Sequence, residues 1–438
     1  MANTYTTYKD SGILWIGEIP EHWNIAKTLF MLDQPITDGP HETPIAVDDG
    51  IPFISAEAVS SGEIDFSHKW GNISKEYYEE CSKKYIPQLD DIYMIKSGAS
   101  TGRTAIVKTT EPFTIWSPLA VFRANKERIT PLFLLYVLRS EPYQKQVETK
   151  WSYGTQQNIG MRTLEQLAIP YPRNLSEQES IANFLDEKCS EIDALISLQE
   201  KMIDELKAYK QSVITEAVTK GLDRNVKMKD SGVNWIGEIP EHWEIRRIKN
   251  IGTSKNGITY SPSEMVSETE GVLVLRSSNI QNGKLRYDDN VYVSTEIPQS
   301  LFVKVGDIII CSRNGSASLV GKCAIVEENI IATFGAFMMR FQSDYNSKYI
   351  FYLLSCAISQ YKQLFSTTTI NQLTVGVFGS LKMPFIHSNN EQEQIALFLD
   401  SKCSQINSLI SIKENKIEEL KDYKKSLIYE YVTGKKRV

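Results

Sequence analysis

The sequence lacks the marks of several protein classes. No apolar run is long enough to span a bilayer: LFLLYVL after Pro131 and YIFYLLSCAI from Tyr349 are the longest. The start, MANTYTTYKD, has neither the basic nor the apolar region of a signal peptide. The six cysteines form no CxxC pair, and Cys189 and Cys403 fall on the apolar side of periodic segments. They read as buried free thiols in a reducing cytoplasm. There is no Pro-Pro, so no Asn- or Asp-Pro-Pro motif of an amino-group methyltransferase, and no glycine fingerprint for its cofactor. HExxH is absent, and GASTG (98–102), although it spells GxSxG, sits between two strand-like runs rather than on a strand-to-helix turn, so no nucleophile elbow occurs. Two Gly-rich loops fail as Walker loops. GASTGRT (98–104) has three residues between its glycines and Arg in place of Lys, and GSASLVGKC (315–323) has five, with Cys where a hydroxyl belongs. The sequence offers no catalytic centre and no cofactor or metal site of its own.

Charge is also short on one side. The 438 residues carry a net charge of −6, which excludes a globally basic nucleic-acid binder. The deficit is uneven: residues 92–162 hold ten Lys/Arg against four Asp/Glu, and residues 276–386 hold ten against seven. Local basic faces are therefore available.

What the sequence does have is repetition. Residues 176–219 and 390–433 align without gaps and match at 27 of 44 positions. Neither copy contains Pro or Gly, so nothing interrupts a helix. Apolar residues recur three and four apart: Ile192, Leu195, Ile196, Ile203 and Leu206 in the first copy, and Ile406, Leu409, Ile410, Ile417 and Leu420 in the second. This coiled-coil-like stripe needs a partner, and the simplest partner is the other copy. Forty-four residues make a rod of roughly 65 Å. Ser176 and Asn390 stand as N-caps, with Glu179 and Glu393 at capping-box spacing.

A second repeat opens each half. KDSGILWIGEIPEHW (9–23) and KDSGVNWIGEIPEHW (229–243) differ at two of fifteen positions. The whole chain is thus a tandem duplication of an opening motif, a globular region and a long helix. The motif's Gly and Pro punctuation reads as a loop, docked by Trp15, Ile16, Ile19 and Trp23. His22 and His242 within it read as packed or hydrogen-bonded residues. Each globular region then runs through a β-like stretch, a strand–Ser/Gly loop–strand unit, a short helix, an uncharged polar loop and a short strand, LAIPYP or LKMPF.

The two kinds of loop supply hydrogen-bond donors. Lys96, Ser97, Ser100, Thr101 and Arg103 cluster in one, and Trp151, Tyr153, Gln156, Gln157 and Asn158 follow. The second half offers Arg276, Arg313, Asn314, Ser316 and Lys322, then Thr368, Thr369, Asn371 and Gln372. Arg, Lys, Asn and Gln read base edges, and Ser, Thr and Lys hold phosphates. Surface turns have the same composition, so a DNA reader and a non-catalytic coiled-coil protein-interaction scaffold both remain open on composition alone.

The sequences KDSGxxWIGEIPEHW at both starts, LAIPYP before EQESIANFLDEKCSEID, and LKMPF before EQEQIALFLDSKCSQIN resemble the specificity subunits of type I restriction-modification systems. The resemblance covers nearly the whole chain. It implies a mixed α/β (α+β) fold with two target-recognition domains, 1–175 and 221–388, and two spacer helices, 176–220 and 389–438, packed as an antiparallel coiled coil with pseudo-two-fold symmetry. It implies double-stranded DNA as ligand, read as a bipartite asymmetric site. It also implies two modification subunits that use S-adenosylmethionine to methylate adenine, and restriction subunits that bring ATP and Mg. This chain would hold none of these cofactors. Two departures stand out. Ile386 replaces Pro172, which implies a different hinge into the second helix, and the second Gly-rich loop region is three residues longer. Base-reading residues vary across the family, so no contact residue carries over.

Overall fold

The computed structural model describes residues 4–59, 62–153, 157–362 and 371–438. The chain divides into two compact units, residues 1–200 with 414–438, and residues 201–413. Each unit holds part of both long helices, Leu175–Lys220 and Asn389–Val432. Among the described residues no helix is long and apolar enough to cross a membrane.

The first unit is built on a four-stranded antiparallel sheet in the order Thr37–Asp38, Leu119–Phe122, Ile92–Ile95, Thr104–Ile106. Its central strands are buried on both faces. Ile92, Met94, Ala120 and Phe122 point into the core against the helices, while Tyr93, Ile95, Leu119 and Val121 face the other way. Period-two alternation within a continuous apolar run produces this two-sided burial. The other face meets a three-stranded sheet, Gly71–Ile73, Ile51–Ile54 and Thr114–Ile115, whose last pair is parallel.

The second unit repeats the plan in a diverged sequence. Its main sheet runs Thr253–Asn256, Met338–Gln342, Ile308–Cys311, Cys323–Ile325, the same strand order. Beside it lies a mixed sheet in which Val272–Leu275 and Ala332–Phe334 are parallel. The short helices expected after the strand–loop–strand units are Pro131–Arg139 and Ser347–Gln360, and Lys75–Ser82 and Glu141–Thr149 are further ones in the first unit.

The opening motif differs from the loop expected. Tyr8–Asp10 pairs with Glu18–Pro20, and Met228–Asp230 with Glu238–Pro240, giving two small hairpins. Ile16, Ile19 and Trp23 are fully buried, but Trp15 remains 39% exposed and does not dock. Glycine punctuation marks the hairpin turn here, and three-residue strands are too short to show an alternating pattern.

The shared string EQxxIAxFLD is explained residue by residue. Glu177 Oε1 accepts from Trp23 Nε1 at 3.0 Å and from the Tyr5 hydroxyl at 2.7 Å, and His22 Nε2 lies 3.1 Å away. Glu391 meets Trp243 and His242 in the same way, at 2.9 and 3.0 Å. Gln178 is buried. Its amide accepts from Thr130 N and donates to the carbonyls of Arg128 and Pro172. Gln392 accepts from Asn346 N and donates to the carbonyl of Ile386. Ile386 therefore accepts the same bond as Pro172, because the bond needs only the backbone, although Pro172 is still paired with Trp23 in its strand whereas the second strand ends one residue earlier, at Phe385. Ile181, Ala182 and Leu185, with Ile395, Ala396 and Leu399, are buried in the cores. Asp186 and Asp400 accept from the hydroxyls of Tyr136 and Tyr352 at 3.1 and 2.8 Å.

Each buried Trp also touches the end of a long helix. In the first unit Gly434, at φ +69°, lies where a Cβ would come within 2.4 Å of Pro20 and 3.4 Å of Trp23. In the second, Gly221, at φ +76°, holds the same place beside Trp243. Both are left-handed helix-ending positions that favour glycine. The N-caps lie two residues upstream of those read from the sequence. Asn174 Oδ1 accepts from Ser176 N at 2.9 Å, and Ser388 Oγ from Glu391 N at 3.3 Å. The expected caps, Ser176 and Asn390, are already helical, because a residue that satisfies the capping-box spacing is not thereby placed at the helix boundary.

Within the first unit Phe184 stacks on Tyr431 at 4.6 Å and Asp193 pairs with Lys424 at 2.6 Å. Within the second, Lys210 bonds Asn407 at 2.9 Å. Of the apolar stripe, Ile192, Ile203, Ile406 and Ile417 are buried, and Ile196, Leu206, Ile410 and Leu420 are half-buried. Leu195 and Leu409 are 46% and 47% exposed and lie outside the packed stripe. A spacing of three from a buried position does not guarantee burial when the packed seam is narrow.

Candidate nucleic-acid interface

In the first unit the Ser/Gly loop is the tip of a hairpin. Gly102 N donates to Ile95 O, and both Gly98 and Gly102 have φ of +93°. The polar loop reaches back to it across some 60 positions of sequence. Ser97 bridges Asn158, Gly98 N donates to Gln157 O at 2.9 Å, and Ile159 N to Lys96 O at 2.9 Å. Ser152–Tyr153 and Gln157–Asn158 form a two-stranded ribbon. The structure thus gathers two separate sequence clusters onto one edge.

Not every candidate stays free there. Lys96 Nζ sits 3.0 Å from the buried carboxylate of Asp38, which Lys84 also contacts at 2.5 Å. Burial pushes the Asp38 carboxyl up, but the two lysines outweigh it and hold it below the usual range. Thr101 Oγ1 donates to Gly98 O at 2.7 Å, and Ser100 O accepts from Arg103 N, so both serve the turn. Trp151 packs on the core, and Arg103 is exposed. Gln156 lies outside the described residues.

The second unit repeats the arrangement. Arg313–Asn314 pairs with Asn371–Gln372 as a ribbon, Leu373 N donates to Ser312 O, and Asn371 Nδ2 donates to Gly315 O. A cleft of about 900 Å³ opens beside it, lined by Arg276, Arg313, Asn314 and Asn371 with Tyr260 and Phe337. Arg276 pairs with Asp289 at 2.8 Å. Ser316 N is held by Asn314 Oδ1 at 3.0 Å. Lys322 stands apart from this group: it lines a different cleft of about 420 Å³ with Lys284 and Lys348, and bonds Ile280 O. Thr368 and Thr369 lie outside the described residues. Phe337, 58% exposed at the cleft, went unnoticed in the sequence, where its flanking Gly335 and Ala336 gave no sign of a surface aromatic.

The arrangement holds donors on paired strands. Among the described residues no group of three or more His, Cys, Asp or Glu is placed to hold a metal. All six cysteines are free and buried, and burial pushes Cys323 and Cys356 up to about 11, far from a thiolate at neutral pH.

The family model for the type I restriction modification DNA specificity domain matches residues 40–208 and 240–422. Each match takes in one Ser/Gly loop, one paired polar segment and the front of one long helix. The chain belongs to this family. As a specificity subunit it recognises DNA sequence and is not itself an enzyme. The MjaVIII type I specificity subunit of Methanocaldococcus jannaschii is 27% identical over 88% of this chain and 86% of its own. The EcoKI specificity subunit of Escherichia coli is 28% identical over 45% of this chain and 44% of its own. A chain solved in a study of complex assembly and conformational transition in the type I R-M system matches with a TM-score of 0.70, over 95% of this chain and 99% of that one. At 15% identity it speaks for the fold alone.

Proposed function

We propose that each unit reads one half of a split, asymmetric DNA site, and that the long helices pack antiparallel as the spacer between the two readers. The target-recognition parts are residues 1–175 and 221–388, and the spacers are 176–220 and 389–438. The observation that carries this reading is the paired edge: in both units backbone bonds join the Ser/Gly loop to the polar segment, through the Ser97–Asn158 bridge onto the polar segment's own ribbon in the first and as a two-stranded ribbon in the second. A two-stranded ribbon fits the major groove, where the four base pairs differ in their donors and acceptors. The spacer reading is supported by the Phe184–Tyr431 and Asp193–Lys424 contacts in one unit and Lys210–Asn407 in the other.

Chemistry belongs to partners. Two modification subunits bind S-adenosylmethionine and methylate adenine in each half-site; restriction subunits, where present, bring ATP and Mg. The net charge of −6 assigns much of the salt-dependent affinity to those partners. The test is duplex binding by the chain with and without its modification subunit. The complex is expected to bind one sequence tightly and with a steep salt dependence, and the lone chain weakly. Partner binding with no sequence preference on DNA would favour a protein-interaction scaffold instead.

A further inference from the structure

We infer that Arg313 is the guanine-reading side chain of the second unit; this rests on the DNA-reading role proposed above. Elimination among the arginine and asparagine side chains that line the cleft leads to it. Arg276 is committed to Asp289, bonding its carboxylate at 2.8 Å and its carbonyl at 3.0 Å. Asn314 bonds Ser277 Oγ and Ser316 N, and Asn371 holds Gly315 O, so both amides fix the loop. Arg313 pairs with no carboxylate among the described residues.

Its guanidinium instead lies over the ring of Phe337, 5.1 Å from the centroid. That platform is itself fixed. Phe337 O accepts from Ser312 N, Arg313 N and Ser312 Oγ at 2.9, 3.1 and 2.9 Å. A guanidinium stacked on an aromatic face keeps its in-plane N–H groups for another acceptor. The fork matches O6 and N7 of guanine in the major groove, and because stacking already orders the side chain, less entropy is lost on binding. The two-stranded ribbon that carries Arg313 has the shape to enter that groove, and the cleft beside it gives the neighbouring backbone room.

The test is methylation mapping in cells that express the modification subunit with the wild-type chain, R313Q or R313K. The half-site read by the second unit is identified first by exchanging residues 240–386 for those of another specificity subunit. That half-site is expected to contain a G·C pair at which R313Q loses discrimination roughly 5- to 150-fold, while every other position stays fixed. R313K, which keeps the charge and loses the fork, is expected to relax the same position. R313K also decides the matter if R313Q fails to co-purify with the modification subunit. The inference is overturned by an unchanged motif at unchanged occupancy, by a uniform loss of methylation with the motif intact (a phosphate contact), or by a half-site without a G·C pair. A wild-type chain that directs no sequence-specific methylation overturns both this inference and the proposed function; the other contrary results overturn this inference alone.

Discussion

The Trp23 indole donates to Glu177 at 3.0 Å, and Trp243 repeats the bond to Glu391 at 2.9 Å. Two sequence repeats some 150 residues apart, the opening motif and the long helix, are thus a single joint. Each buried Trp meets the first turn of one long helix through a carboxylate and lies against the glycine that ends the other, Gly434 or Gly221. The duplicated frame is the joint and its two helices, and the sequence between them varies.

Removing the carboxylate tests the joint. Glu177→Ala leaves the Trp23 and Tyr5 donors without a charged acceptor and is expected to cost about 2–3 kcal/mol, read by chemical denaturation. The effect depends on pH. Burial pushes the Glu177 carboxyl up, but the bonds from Tyr5, Trp23 and His22 outweigh it, so it titrates below its ordinary 4.5. A depressed carboxyl gives stability that is complete above that ordinary value and is lost as pH falls through the folded-state value. The stability gap between the wild type and Glu177→Gln should therefore narrow as pH drops below 4.5. A gap that stays constant to pH 3 would contradict the assignment.

Gln178 satisfies three backbone groups at once, at Thr130, Arg128 and Pro172. Gln178→Ala strands them in a buried site and should destabilise by about 2–4 kcal/mol, more than a typical surface change of under 0.5. Hydrogen exchange at the Thr130 amide should rise with it. Protection that is unchanged in the variant would show that the amide has another partner.

Much of this was legible in the sequence, and the reasons differ by element. The duplication was plain because 27 of 44 helix positions and thirteen of fifteen motif positions match. The hairpin around 98–102 was legible from its apolar flanks. The opening hairpins were not, because three-residue strands have no period to read. The clamp at Glu177 was hidden, because its partners Tyr5, His22 and Trp23 lie more than 150 residues away and no spacing rule spans that distance. Of the donors, composition named Lys96 and Arg313 alike. Only the fold shows that Lys96 is held by Asp38 while Arg313 rests on Phe337.

The helix stripe gives a direct contrast. Ile192 is 5% exposed and belongs to the first unit's core, whereas Leu195, three residues on, is 46% exposed. Ile192→Ala should cost about 2–4 kcal/mol and Leu195→Ala under about 1. Equal losses in thermal or denaturant unfolding would mean that Leu195 is packed.

The most direct test of the central claim is methylome sequencing of cells that express this chain with its modification subunit, repeated after exchanging residues 25–172 for those of another specificity subunit. Two independent readers predict one asymmetric split motif, methylated on adenine in both halves only when the chain is present. They also predict that the exchange changes one half and leaves the other intact. No motif, with the complex verified by pull-down, or a change in both halves at once, would contradict the account.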